Sequence, residues 1–391
     1  MPWGESAMSA RMRFITRLED GERMTDLCKE DGISRKTGYK IKRRFDEAGV
    51  VGLRDQARRP RSHPRTTPKE TRKLVLGARK AHPTWGAPKL AAWLRRKNPG
   101  VRVPSRTTIG KILKEAGLTR GRKQRRRSTP SSGTLCTPTR PNELWAADFK
   151  GQFRLGNGRY CYPLTITDSY SRYVLACIAL EGTGFEGAEQ GFLETFSAYG
   201  LPEGIRTDNG SPFSSVGLAG LSKLSAGWLR LGIAHERIQP GHPEQNGRHE
   251  RFHLTLKQET TRPAAENELQ QQECFDRFLE TFNMERPHEA LGQRPPAEVY
   301  TSSSRALPKK LPNPDYSCFD TSLCVASDGR IWLPGRPSRR AYVSAALAGY
   351  RVGVREVELG KWLIAFMNLE LGVFDTLTGQ LAPITTGVVG E

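Results

Sequence analysis

The chain has no long apolar run. None approaches the ~18 residues of a membrane span, and the opening MPWGESAMSARMRF lacks the apolar centre of a secretory signal. Cysteine is sparse: seven residues, at 28, 136, 161, 177, 274, 318 and 324, odd in number and without a C-x-x-C pair. This argues against a disulfide framework and for reduced thiols in a cytosolic protein. Acidic residues are scarce in one region only. The first 140 residues carry 36 Lys and Arg against 12 Asp and Glu, whereas the rest carry 25 against 29. The net charge of +20 therefore belongs to the first third, the pattern of a polyanion held by one part while another does different work. Hydrophobic content is a lowish 37%, yet 7 Trp, 10 Tyr and 15 Phe suffice for several small cores. At ~100–200 residues per domain the length predicts two to four domains.

Residues 8–60 read as three short helices, Arg11–Leu18, Met24–Glu30 and Arg35–Ala48. Gly32 supplies the positive φ of a tight turn, and Ser34 is a natural N-cap for the third helix. That helix is cationic, with Arg35, Lys36, Lys40, Lys42, Arg43 and Arg44, and also carries Thr37 and Tyr39. A short helix, a Gly turn and a capped basic helix match helix-turn-helix DNA binding, with Arg35, Lys36, Thr37, Tyr39, Lys40 and Arg43 as candidate contacts. After the Pro- and Arg-rich Ala57–Pro68, residues 66–118 repeat the scheme: Lys69–Ala81, a Trp85–Pro88 turn, Lys89–Lys97, and a Ser105-capped helix Arg106–Ala116. Its opening residues Arg106, Thr107 and Thr108 are the second set of candidate contacts. Residues 119–141 form a basic linker, in which Arg122, Lys123, Arg125, Arg126 and Arg127 suit an arm lying along phosphates.

From residue 142 the period changes. Leu144–Phe153, Arg159–Thr167 and Arg172–Leu180 read as strands, Phe185–Tyr199 as a helix, Gly204–Thr207 as a strand, Val216–Leu231 as a helix and Ile233–Ile238 as a strand, before a long helical region to Glu285. This predicts an α/β core with a mixed sheet over 142–300. Residues 316–385 return to short strands and Gly turns, as in a small all-β barrel-like domain.

Three acids in the core stand in informative places. Asp148 interrupts a strand, where Asp is depleted. Asp208 ends a short strand at Arg206-Thr-Asp-Asn-Gly210, and Glu250 opens a long helix in Asn246-Gly-Arg-His-Glu-Arg-Phe-His253. Such carboxylates can converge on a hard divalent cation such as Mg²⁺. His249-Glu-Arg-Phe-His253 also spells H-E-x-x-H, the zinc-protease pattern. Arg248 and Arg251 place charge where that motif needs an apolar buried helix, and a protease would leave the basic helices unexplained.

Trp145…Asp148, Thr207-Asp-Asn-Gly210, Gly241–Phe252 and Glu285-Arg-Pro-His-Glu-Ala-Leu291 resemble insertion-sequence transposases of the retroviral-integrase (DDE) superfamily, over about residues 10–300. The resemblance implies a ribonuclease-H-like core and a catalytic, metal-binding triad of Asp148, Asp208 and Glu250. It also implies two Mg²⁺ ions per active site, with Mn²⁺ able to substitute. Glu244 is the rival third ligand, 36 residues beyond Asp208 where Glu250 is 42 beyond. Glu250 is preferred because relatives commonly carry Gln at the position of Glu244; the Gly- and Ser-rich Ser214–Gly227, read as a loop extension, accounts for the longer spacing. Lys257, about 10.5 Å further along the same helix face, is a candidate DNA contact. The implied function is binding the terminal repeats of an insertion sequence, then cleavage and strand transfer. Partners would be double-stranded element ends and target DNA, with a homodimer or higher oligomer on DNA that cuts in trans. The setting would be bacterial, cytoplasmic, nucleoid-associated and without a membrane. The alternatives are an inactive DNA-binding regulator or a ribonuclease-H-type nuclease. No His/Cys zinc module precedes the core, and 316–385 match the family poorly.

Overall fold

The computed structural model describes residues 7–55, 66–119, 135–215, 218–239, 242–311, 314–334 and 339–382. They fall into two compact units divided at Thr66–Thr67. The first unit is three helices, α1 (Ala7–Glu19), α2 (Met24–Glu30) and α3 (Arg35–Gly52), around Phe14, Ile15, Leu27, Cys28, Ile41 and Leu53. The Ser34 hydroxyl caps α3 by accepting from Thr37 N–H at 3.2 Å. The α3 backbone leaves helical geometry at Gly49 (φ +58°). Gly38 lets α3 approach α2, since a Cβ there would stand 2.7 Å from both Cys28 Sγ and Met24 Sδ.

The second unit opens with α4 (Lys69–Ala81), α5 (Ala87–Lys97) and α6 (Arg106–Glu115) around Val75, Trp85, Leu90, Leu94, Ile109 and Ile112. Ser105 caps α6 from Thr108 N–H at 3.3 Å, repeating the Ser34–Thr37 device of the first unit. Both modules thus begin the third helix with the same Ser-Arg-x-Thr solution to its orphan N–H groups.

The central domain is one mixed sheet of β1 (Leu144–Phe149), β4 (Leu164–Asp168), β5 (Val174–Ile178), β6 (Gly204–Thr207) and β7 (Ala234–Arg237) in the order β5-β4-β1-β6-β7; β2 (Phe153–Arg154) and β3 (Tyr160–Cys161) make a separate hairpin. β1 pairs antiparallel with β4 and parallel with β6. Helices α7 (Phe185–Tyr199) and α8 (Lys223–Arg230) cover one face through Trp145, Ala147, Phe192, Phe196 and Trp228. Helices α9 (Gly247–Thr260) and α10 (Glu268–Glu280) cover the other through Phe252, Leu256, Phe275 and Phe278.

A last domain of β8 (Thr321–Cys324), β9 (Arg330–Leu333), β10 (Arg339–Tyr342), β11 (Arg351–Glu358), β12 (Lys361–Phe366), β13 (Leu369–Asp375) and β14 (Gln380–Ala382) forms a five-stranded antiparallel sheet, β14-β13-β12-β11-β8, and a β9–β10 hairpin. β9 lies beside β8 and β10 beside β14, so the two sheets close into a barrel-like body. Its core takes in Leu221 and Ala226 from the central domain. Between these domains Arg305 straps the chain down by donating to the carbonyls of Pro202, Leu231 and Gly232.

Several expected elements are shorter than predicted. The strand Leu144–Phe153 ends at Phe149, where Lys150 turns to bond Pro163 carbonyl at 2.9 Å. Arg159–Thr167 breaks at Pro163, which has no N–H for a ladder. The helix expected over Val216–Leu231 starts only at Lys223, with a Ser222–Ser225 capping box. Within Ser214–Gly227, read as a loop extension, Leu218–Gly220 is a short 3₁₀ turn and the residues from Lys223 on are helix. The helical region to Glu285 is cut at Arg262-Pro263 and restarts at the Asn267 cap. All seven cysteines are free, and among the described residues no helix is long and apolar enough to cross a membrane. Gly38→Val should destabilise the first unit by about 1–3 kcal/mol through overpacking. In calorimetry of the full chain the transition of that unit should move to lower temperature while the main one stays.

Candidate active site

Alternation along β1 decides what faces what. Trp145 and Ala147 enter the core under α7 and α8, so Ala146 and Asp148 point to the α9 side. The β1–β6 register pairs Leu144 with Gly204, Trp145 with Ile205 and Ala146 with Arg206. Continued by two residues, it sets Asp208 level with Asp148 on the neighbouring strand and on the same face. Asp208 leaves β6 at its C-terminal end, where its carboxylate accepts from Gly210 N–H at 3.0 Å. A Cβ at position 210 would stand 3.1 Å from that carboxylate and make it shift, so Gly210 leaves Asp208 its place. Glu250 lies exposed in the first turn of α9, which packs across β1.

The three acids meet electrostatically. Burial, then the negative charges of Asp208 and Glu250, push the Asp148 carboxyl up to about 7; Phe149 N–H and the Lys150 cation oppose the rise. Crowded carboxylates in a half-buried place are the oxygen donor set that a hard divalent cation relieves. The residues fit such an ion. Lys150 is pushed down by burial and by the nearby Lys257 cation, while Asp148 pulls it the other way.

The histidines of H-E-x-x-H have another task. Nε2 of His249 and Nε2 of His253 lie 2.7 and 2.8 Å from the Thr165 hydroxyl, which donates its proton to Asp148 carbonyl at 2.9 Å. Both nitrogens are therefore the donors, and the hydroxyl accepts twice. His249 Nδ1 faces Thr167 Oγ1 at 3.2 Å, and His253 Nδ1 stands 3.8 Å from Asp148 Oδ2. One ligand atom each of Asp148, His249 and His253 falls within a 4.8 Å group. Glu250, between the two histidines in sequence, is exposed. The sequence argument against a buried helix does not hold here, because the histidine face is buried although Arg248 and Arg251 flank it. Burial drives the His249 imidazole down to about 3, so it stays neutral.

The structure adds residues the sequence did not single out: Thr165, Asn246, whose amide is 3.5 Å from Asp148 Oδ2, and Lys150. Lys150, two residues from Asp148, and the Asn246-Gly247 dipeptide were the available signals. Of the candidate DNA contacts, Arg35, Lys36, Tyr39, Lys40 and Arg43 are exposed along α3, Arg106 and Thr107 are exposed on α6, and Lys257 is exposed on α9. Thr37 and Thr108 are half-buried with their hydroxyls 3.0 and 3.1 Å from the capping serines. Arg122, Lys123, Arg125, Arg126 and Arg127 lie outside the described residues, as does the side chain of Glu244.

The described residues thus set two helix-turn-helix modules ahead of a ribonuclease-H-like sheet in which acids cluster. Comparison with known proteins agrees. Residues 138–243 and 231–296 match Integrase core domain families, 10–61 a Helix-turn-helix domain and 37–113 a Homeodomain-like domain. The chain is 29% identical over 222 residues to the insertion element IS476 uncharacterized 39.2 kDa protein of Xanthomonas euvesicatoria, covering 56% of this chain and 60% of that one. It is 27% identical to the IS407 31.7 kDa protein of Burkholderia multivorans, over 49% of this chain and 67% of the relative. It is also similar to the HTLV-2 integrase catalytic core domain in complex with magnesium, at 17% identity and TM-score 0.34, over 42% of this chain and all of that one. Over residues 138–296 the chain is thus similar to integrase core domains, and the relatives it matches include proteins of insertion elements.

The folded-state pKa of Asp148 lies above the ordinary one, so between about pH 4 and 7 the unfolded chain releases its proton first, and stability without a cation falls as pH rises through that window. Asp148→Asn should raise the melting temperature of cation-free protein at pH 8 and leave it unchanged at pH 4. Equal shifts at both pH values would show that the carboxylate is not crowded.

Proposed function

We propose that this chain is a transposase that binds the terminal inverted repeats of its insertion sequence and catalyses cation-dependent DNA cleavage and strand transfer at Asp148, Asp208 and Glu250. The observation that carries the reading is the register of β1 and β6, which brings Asp148 and Asp208 level beneath the helix that bears Glu250. These three carboxylates would hold divalent cations, Mg²⁺ or Mn²⁺ and two per site, which supply Lewis acidity toward the scissile phosphate and activate water or a 3′-hydroxyl.

The chain's own groups do the rest. Burial keeps Asp148 poised to exchange a proton for a cation near neutral pH. Thr165 and His253 fix its strand against α9, so the acids keep their spacing. Lys150 and Lys257 present positive charge to phosphates approaching that cluster. The exposed basic faces of α3 and α6 would grip DNA, with Arg35, Lys36, Tyr39, Lys40 and Arg43 on one module and Arg106 and Thr107 on the other. Thr37 and Thr108 serve first as cap partners. The basic stretch Arg122, Lys123, Arg125, Arg126 and Arg127 would add phosphate contacts. The DNA strands supply nucleophile and leaving group, so no covalent enzyme intermediate is needed. Assembly as a homodimer or higher oligomer follows from the need to join two element ends to one target. The bacterial cytoplasm and nucleoid are the proposed setting.

Asp148→Asn, Asp208→Asn and Glu250→Gln should each lower cleavage and joining of an element-end duplex by about 10³-fold or more, as loss of a principal electrostatic group does. Affinity for that duplex should hold within about twofold and fall steeply with salt, by about 0.9 log units per phosphate contact and decade. An active Glu250→Gln beside an inactive Glu244→Gln would move the third ligand. Nicks without joined products would favour a nuclease, and binding without either would favour a regulator.

A further inference from the structure

The segment Glu285-Arg-Pro-His288 has no part in the chemistry above, yet it is held tightly. Glu285 receives Lys97 Nζ at 2.8 Å and Trp93 Nε1 at 3.2 Å, with His82 Nε2 at 3.9 Å. Arg286, 7% exposed, pairs with Glu259 of α9 at 2.7 Å, and its guanidinium lies 6.0 Å from the Trp85 ring and 5.4 Å from the Phe282 ring. The Thr84 hydroxyl also bonds Glu259. Arg96 donates to the Gln293 carbonyl at 3.2 Å. Every one of these contacts from the second helix-turn-helix comes from the α4–α5 corner or from α5. The first turn of α6, with Arg106 and Thr107, stays exposed.

Single surface ion pairs are worth little. Here two acids each collect several donors around buried Trp85 and half-buried Trp93, an arrangement that fixes orientation more than it adds affinity. Glu259 lies nine residues beyond Glu250 on α9, about 13.5 Å along the same rod. One helix therefore carries both a catalytic acid and the seat of a DNA-reading module.

Building on the transposase reading, we propose that Glu285 and Arg286 are positioning residues that lock the second helix-turn-helix onto its own core, so that the number of base pairs between the sequence read by α6 and the phosphodiester cut is set by the fold. The docked module then reads the same DNA end that its own core cuts. On this proposal the trans cutting expected of the oligomer would not run through this module.

The test maps cut positions at nucleotide resolution on an element-end duplex with the full-length chain. Wild type should cut at one dominant phosphodiester. Lys97→Glu, at a side chain half exposed and so tolerant of replacement, and Glu285→Lys should each scatter the cuts over neighbouring positions. Total cleavage should drop about 10- to 100-fold, as misplacement predicts, with duplex affinity held within about twofold. The double swap should restore the single position, which a merely stabilising contact would not do. Single variants that cut only at the wild-type phosphodiester, or a double swap as scattered as its parents, would overturn the inference while leaving the transposase reading intact. A wild-type chain that cuts no element end removes both.

Discussion

One hydroxyl holds together the face that bears Asp148. Thr165 Oγ1 on β4 donates to the backbone of β1 at Asp148 and accepts from two imidazoles on α9, so a single oxygen with one proton and two lone pairs joins three elements. The geometry leaves it no spare capacity. Both histidines must be neutral Nε2–H tautomers for the scheme to close; burial keeps them neutral, and the Thr165 bond to the Asp148 carbonyl leaves Nε2 the donor's part. Since unfolded histidine titrates near 6.5, this arrangement weakens as pH falls below that value. The Asp148 carboxyl pulls the other way, so the two kinds of buried group narrow the stable range of the cation-free protein from both sides.

Much of this was legible in the sequence because local rules and tertiary demands agree there. Met24–Glu30, Lys69–Ala81, Phe185–Tyr199 and Gly204–Thr207 have the predicted limits, each bounded by turn formers or caps. The setting of the three acids was readable from different cues: Asp148 breaks a local preference by standing inside a strand, Asp208 ends a strand before Asn-Gly, and Glu250 opens a helix just after another Asn-Gly. The misses have a common cause. Val216–Leu231 contains enough apolar residues for a helix, but which Ser becomes the cap is settled by the Ser222–Ser225 pair and by packing against two cores. His249 and His253 could not be assigned from sequence, because their partners lie 82 to 88 residues away on β4.

Charge is distributed as the work is. The basic excess of the first 140 residues sits on modules whose cores are small and whose third helices turn their cations outward. The part beyond residue 140 is nearly neutral, and within it Asp148, Asp208 and Glu250 stand close enough to repel one another. Repulsion among those carboxylates is tolerated because the elements that hold them are fixed elsewhere, by the aromatic clusters on either side of the sheet and by the Arg305 strap.

The barrel-like domain is not a loose appendage. Leu221 and Ala226, which bracket the start of α8, belong to its core, Leu229 packs against that core, and Arg230 lies over the Tyr350 ring at 4.8 Å. The stretch that lengthens the spacing between the second and third acids is thus a shared wall between two rooms. A chain cut after the Arg305 strap would carry an oily scar along α8, and the loop leaving Asp208 would lose the surface it leans on.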